Sequence, residues 1–228
     1  MSEYPSEIIW AAAAAAQRIN SGYTKQSYWD QPDEEDIVEK PSNKRLVFGF
    51  LEDYRDNKLQ LLDKDYTEGK AVREYWQYQT IALLNDNTND YIRAVVKASH
   101  KDTIDNMYDI SLIASCIEAK SRDEQRSEIN DIKFSLDSKT IYSVGDKPEF
   151  GKNNDIRVIN SRYIDRVGAS IVECVIDGNL YVWWSSQRLE TGKYNYVRGR
   201  VKALDVDRDS NQPITRLFYV KARKDEEA

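Results

Sequence analysis

The chain has 228 residues, 40% hydrophobic and 32% charged, with a net charge of −6, the balance of a globular chain long enough to bury a core without a metal or disulfide framework. Two cysteines with no Cys-x-x-Cys, one histidine, and nine glycines with neither a GxxxxGK[ST] nor a GxGxxG string weigh against structural zinc, zinc hydrolysis, a Ser-His-Asp triad and a motif-bound nucleotide. No catalytic residue, metal or cofactor is assigned, and the expectation is a protein that is not an enzyme.

Residues 1–150 carry 19 basic and 28 acidic side chains, whereas residues 151–224 carry 14 and 8. Asp225, Glu226 and Glu227 then form an acidic tail over 225–228, expected to compete with an anionic ligand or recruit partners. A basic stretch behind an acidic one points to an anionic partner for one half only.

In chain order, Pro5 suits the first turn of a helix. The alanine run 11–16 has the highest helix propensity available, and Asn20-Ser21-Gly22 stops it with a left-handed glycine cap. The nine apolar residues 8–16 fall short of the ~20 that span a bilayer. Glu3 and Glu7 before them have the wrong sign for a signal peptide. The expectation is a cytoplasmic protein, without membrane association, with free thiols. Residues 24–42, acidic with two prolines and the run Asp33-Glu34-Glu35-Asp36, read as a loop or linker. Ser42 caps a second helix with Leu46, Val47, Phe50, Leu51 and Tyr54 on one face. A third runs over 67–84 with Tyr75, Trp76 and Tyr78, broken at 85–89. A fourth, at about 89–99, buries Ile92, Val95 and Val96, and His100 at its end reads as a surface or capping residue. A fifth, at about 104–119, presents Ile110, Ile113 and Ile117, and the charged residues 120–133 either extend it or form a solvated loop.

From about residue 140 the apolar period drops from 3.6 to 2. Strands are expected around 156–158, over 170–176 and 180–184 joined by the hairpin signal Asp177-Gly178, over 194–204, and over 214–222. The reading is α+β: an acidic helical region (1–135), then a five-stranded OB-like Greek-key β-barrel (136–224). Another small barrel or sandwich fits the same strand count. Cys116 on the helical stripe and Cys174 in a β-branched strand read as buried small hydrophobes.

Strand 194–204 alternates. Val197, Gly199, Val201 and Ala203 suit a barrel interior, and Tyr194, Tyr196, Arg198, Arg200 and Lys202 line the other face. Interleaved rings and cations are what a single-strand site needs, since bases stack on rings and cations hold phosphates. The alternative is a solvated strand whose charges protect an edge. In strand 180–184, Leu180, Val182 and Trp184 are assigned to the core, and Tyr181 and Trp183 to the same platform. The bland reading puts one tryptophan in the core. Arg162, Tyr163 and Arg166 are expected to line the same groove. Asp205, Asp207 and Asp209 look like the start of a calcium loop. Ser210 and Arg216 stand where an EF-hand needs glycine and glutamate, so the segment is read as a polar hairpin loop.

The string from Gly178 to Leu204, with Gly178, Asn179, Trp183, Gly192, Gly199, Val201 and Lys202 at its marked positions, followed by Thr215-Arg216-Leu217, resembles the C-terminal module of phage-encoded OB-fold proteins similar to single-stranded-DNA-binding proteins. The resemblance covers about a third of the chain. It implies an OB barrel and binding of single-stranded DNA, or less readily RNA, in phage DNA replication or recombination, hence in the host cytoplasm. The acidic loop 205–209 departs from that pattern. The competing expectation is a protein-interaction or inhibitory adaptor docking a replication, transcription or host factor through the helical region or barrel; an oligomer fits either.

Overall fold

The computed structural model describes residues 3–33, 36–53, 59–84 and 89–224. The acidic tail, Tyr54, Glu34, Glu35 and most of the expected break at 85–89 lie outside the described residues. The chain divides into two compact units, Met1–Glu124 and Gln125–Ala228.

In the first unit, strand β1 (Tyr4–Pro5) leads into helix α1 (Ser6–Ile19), which buries Ile9, Trp10 and every alanine of the run 11–16. Methyl-sized side chains let neighbouring helices approach closely. Gly69 of a facing helix completes the fit, because a Cβ there would lie 2.6 Å from the Trp10 carbonyl carbon and 2.7 Å from the Ala11 nitrogen. Helix α1 stops as expected at 20–22, with Gly22 N–H donating to the Gln17 carbonyl (2.9 Å). Both Ser21, at φ 51°, and Gly22, at φ 142°, take positive φ at this stop.

Residues 24–42 are not a plain loop. Strands β2 (Tyr28–Asp33) and β3 (Asp36–Lys40) form a two-stranded antiparallel sheet of their own, with Trp29 70% exposed. Acidic residues and prolines read as linker, but a ribbon pairs through its backbone and needs no buried face for that.

Helix α2 (Asn43–Leu51) begins at the expected cap, Ser42 Oγ accepting from Arg45 N–H (3.2 Å). Helix α3 (Asp63–Tyr78) starts four residues earlier than expected. Asp65 accepts from the Leu62 N–H (2.9 Å) and forms a two-pronged ion pair with Arg18 at 2.9 and 2.8 Å. The Arg18 hydrogen bond holds that buried carboxyl below the usual carboxylate range, against the effect of burial. This start depends on a residue 47 positions away, outside any local window. A 3-10 segment (Gln79–Leu84) follows. Helix α4 (Asp90–Ser99) is capped by Asn89, which accepts from Ile92 N–H (2.9 Å). Strand β4 (Thr103–Ile104) pairs with β1. Helix α5 (Met107–Phe134) carries the charged residues 120–133 as helix, supported by i,i+4 pairs Lys120–Glu124 and Arg122–Glu118.

The second unit holds the end of α5 and a curled seven-stranded sheet: β5 (Glu149–Phe150), β6 (Ile156–Ile164), β7 (Ala169–Ile176), β8 (Asn179–Ser185), β9 (Gly192–Tyr194), β10 (Tyr196–Val206) and β11 (Pro213–Arg223). Its order is β5-β10-β11-β8-β7-β6-β9. The Asp177-Gly178 hairpin forms as read, both residues at positive φ. The fourth expected strand is two pieces: β9 pairs with β6 at one margin, and β10 pairs with β11 and β5 near the other. Asn195 alone joins them, so two Cα–Cα steps, about 7.6 Å at most, connect opposite sides of the sheet. That short link is met by curling. The inner face packs Ile156, Val158, Val172, Cys174, Ile176, Tyr181, Trp183, Tyr194, Val197, Val201 and Leu217 together. The outer face is covered in part: Ile129, Ile132 and Leu136 pack on Ile159, Leu180 and Ile214.

Candidate nucleic-acid interface

Strands β10 and β11 form an antiparallel ribbon whose outward residues come into register. Tyr196 lies opposite Arg223, Arg198 opposite Lys221, and Arg200 opposite Phe218. Directly opposed residues share a face, so four cations and two rings line one surface. Arg198, Arg200, Lys221 and Arg223 are exposed. Among the described residues no carboxylate pairs with any of them, whereas nearby Arg216 pairs with Asp205 at 2.7 Å and Lys224 with Glu190 at 2.9 Å. The guanidinium of Arg223 sits 5.6 Å from the Tyr196 ring centroid and that of Arg200 5.8 Å from the Phe218 centroid. Arg200 Nε also donates to the Gly145 carbonyl (3.3 Å), and Tyr196 OH donates to Glu149 (3.0 Å). The ribbon is thus a row of positive charge with rings between, and Glu149 of β5 lies directly opposite Arg198 on the same face.

Two register shifts shape the row. On β11, Tyr219 and Val220 stand against Gly199 alone; on β10, Lys202 is the extra residue, between Val201 and Ala203. The expected alternation of strand 194–204 therefore holds from Tyr196 to Val201. Lys202 is exposed at a bulge, and beyond it Ala203 faces Arg216. A Cβ on Gly199 would press on Val220 at 3.1 Å and Leu217 at 3.3 Å, which explains a glycine opposite the bulge. Lys147, Pro148, Glu149, Arg198, Gly199, Arg200 and Tyr219 enclose an open groove of about 500 Å³.

Three expected site residues lie elsewhere. Tyr181 (0% exposed), Trp183 (2%) and Tyr194 (8%) are in the inner core. On β8 both alternate sets are apolar, so alternation could not say which faced in. Trp184, assigned to the core from sequence, is the exposed tryptophan at 51%. Tyr194 turns inward because Asn195 breaks the strand and resets the alternation; its hydroxyl donates to the Glu190 carbonyl (2.9 Å). The Tyr181 hydroxyl is buried with no hydrogen-bond partner among the described residues, and burial pushes its pKa up. Arg162, Tyr163 and Arg166 are exposed around the β6–β7 hairpin, with the Arg188 guanidinium 4.4 Å from the Tyr163 ring centroid. One cross-strand row runs from Arg162 on β6 through Ile171 to Trp184 on β8, and none of Arg162, Tyr163 and Arg166 borders the groove beside Arg198 and Arg200.

Residues missed from sequence are Phe218, Tyr219, Lys221 and Arg223, with Trp184. Lys221 and Arg223 share a face with Phe218 only because the bulge shifts the parity of β11, and Tyr219 is not a residue type that announces a bulge. The acidic loop is used internally. Lys133, with its side chain 4% exposed, pairs with Glu173 (2.6 Å) and Asp207 (3.3 Å). Asp207 also accepts from the N–H and hydroxyl of Ser210 (2.8 and 2.7 Å), and Arg126 approaches Asp209 at 3.5 Å. Burial disfavours the Lys133 ammonium, but the hydrogen bond it donates to Glu173 and the charges of Glu173 and Asp207 outweigh it and raise its pKa. Burial acts against the Asp207 carboxylate too, and the hydrogen bonds that Ser210 donates to it, together with the Lys133 ammonium, overcome it and lower its pKa.

Among the described residues no group of three His, Cys, Asp or Glu side chains could hold a metal ion, and no helix is long and apolar enough to cross a membrane. No known protein family, curated protein or solved structure matches the chain.

Proposed function

We propose that this protein is a non-catalytic binder of single-stranded nucleic acid, with DNA as the preferred ligand, in the setting of phage DNA replication or recombination that the resemblance implies. The binding surface is the outer face of the β10–β11 ribbon. The observation that carries this reading is the row Arg198, Arg200, Lys221 and Arg223, exposed, without an ion-paired carboxylate among the described residues, and in register with Tyr196 and Phe218. Phosphates need free cations, and bases need ring faces.

The strand order supports an OB-type Greek-key barrel. Taking β6, β7, β8, β9–β10 and β11 as its five strands, the fourth pairs with the first and the fifth, and the third runs parallel to the fifth. OB barrels bind oligonucleotides on their second and third strands. Here Leu180 and Val182 of the third strand lie under Ile129 and Ile132 of α5 and Leu136 just beyond it, which moves binding to the fourth and fifth.

The test is fluorescence anisotropy with oligo-dT, oligo-U and duplex DNA at 50 and 200 mM salt. Oligo-dT should bind best, with affinity falling as salt rises. Replacing both Arg198 and Arg200 with alanine should lower the magnitude of the salt slope by about 1.4, at ~0.7 per single-strand phosphate contact. A folded double variant with wild-type affinity and slope removes this face as the site. A second reading, docking of a protein, is favoured by the β2–β3 ribbon, where Trp29 (70%) and Tyr28 (44%) are exposed among acidic residues. It would prevail if oligonucleotides fail to bind while Trp29→Ala abolishes capture of a basic partner.

A further inference from the structure

Resting on that reading, we infer that Tyr219 is the residue on which a nucleobase stacks, with the adjoining phosphate held by Arg198, Arg200 and Lys147. Tyr219 is 83% exposed and has φ 54°. A left-handed backbone is costly for a bulky residue and free for glycine. A strained residue in the middle of a strand persists because its surroundings impose it, and such strain gathers at ligand sites. Bulges re-aim side chains in this way.

Here the bulge sends Val220 toward the inner core and leaves Tyr219 at the groove. Its ring centroid is 4.6 Å from that of Phe218, with the planes inclined at 43°. The groove it borders contains three cations, Lys147, Arg198 and Arg200, and one carboxylate, Glu149, which already accepts from Tyr196 OH. Among the described residues none of the three cations has a carboxylate partner. An exposed ring beside three cations and a single carboxylate, in a space of about 500 Å³, matches one nucleotide unit of a single strand. Stacking of this kind accepts any base, so the site selects for single-strandedness rather than sequence.

A structural residue and a ligand-binding residue respond oppositely to Tyr219→Gly. Glycine relieves the left-handed strain, so the melting temperature should stay level or rise. Oligo-dT affinity should fall by about 5- to 150-fold, the loss that follows from removing one base-stacking ring, and Tyr219→Trp should restore it. The surface variant Tyr78→Ala, 80% exposed in the first unit, should bind as wild type. If wild-type protein binds no oligonucleotide at low salt, the proposed function falls and this inference with it. If Arg198→Ala/Arg200→Ala weakens binding but Tyr219→Gly does not, the inference alone is overturned. A lower melting temperature for Tyr219→Gly also overturns it, because the ring is then holding the fold.

Discussion

Trp183 and Trp184 are adjacent in sequence and opposite in consequence. Trp183 is 2% exposed and belongs to the inner core with Val172, Cys174, Tyr181 and Leu217, whereas Trp184 is 51% exposed. Truncating a buried tryptophan to alanine costs about 3–5 kcal/mol, from lost transfer energy and the cavity left behind. Against a total stability of ~5–15 kcal/mol, Trp183→Ala removes a large share of what holds the sheet. At ~4–8 °C per kcal/mol for a domain near 100 residues, the melting temperature should fall by at least about 12 °C. Trp184→Ala deletes a half-exposed ring and should cost under ~1 kcal/mol, a shift of a few degrees. Calorimetry measures both. Acrylamide quenching supplies the second readout: Trp184→Phe should lower the quenchable fraction of tryptophan emission, and Trp183→Phe should not. If Trp183→Ala melts near wild type while Trp184→Ala collapses, β8 faces the other way and the inner core described above is wrong.

Tyr181→Phe removes a buried hydroxyl with no partner among the described residues, so thermal melts should show equal or greater stability, by up to ~1–3 kcal/mol; a clear loss would mean the hydroxyl is bonded. Lys133→Ala leaves the buried Asp207 and the half-buried Glu173 without their cation and should cost about 3–5 kcal/mol. The Asp207 pKa is depressed in the fold, so its contribution is present above its unfolded value of ~3.9 and is lost as pH falls through the folded value; the Lys133 pKa is raised, so its contribution is present below ~10.4 and is lost as pH rises through the folded value. Melting temperature against pH should therefore decline at both ends, and Lys133→Met should flatten both limbs. Gly69→Ala should destabilise by ~1–3 kcal/mol through overpacking on the Trp10 backbone, the reverse of the gain a glycine-to-alanine change brings in an exposed helix. Cys116 and Cys174 are buried and free, and burial pushes the Cys174 thiol up to about 12 and the Cys116 thiol higher than an ordinary thiol; a thiol reagent should label them only in denaturant.

What the sequence determined by itself was local. The alanine helix, the cap at Ser42, the Asp177-Gly178 hairpin and the change of period near residue 140 each depend on neighbours within a few positions. Helix propensity, side-chain capping and turn geometry act at that range. The cation–aromatic alternation over Tyr196, Arg198 and Arg200 was legible for the same reason. Tertiary structure decided whatever needed a distant partner or a choice between equivalent faces. Arg18 sets the start of α3. The β2–β3 ribbon pairs through backbone that composition does not show. Residues 180–184 are apolar on both alternations, and only their place, between an inner core and a covering helix, sends Trp183 inward and Trp184 out. A single bulge at Tyr219 shifts the parity of β11 and so brings Lys221 and Arg223 beside Arg198 and Tyr196. A bulge is a property of two paired strands, and one strand read alone does not contain it.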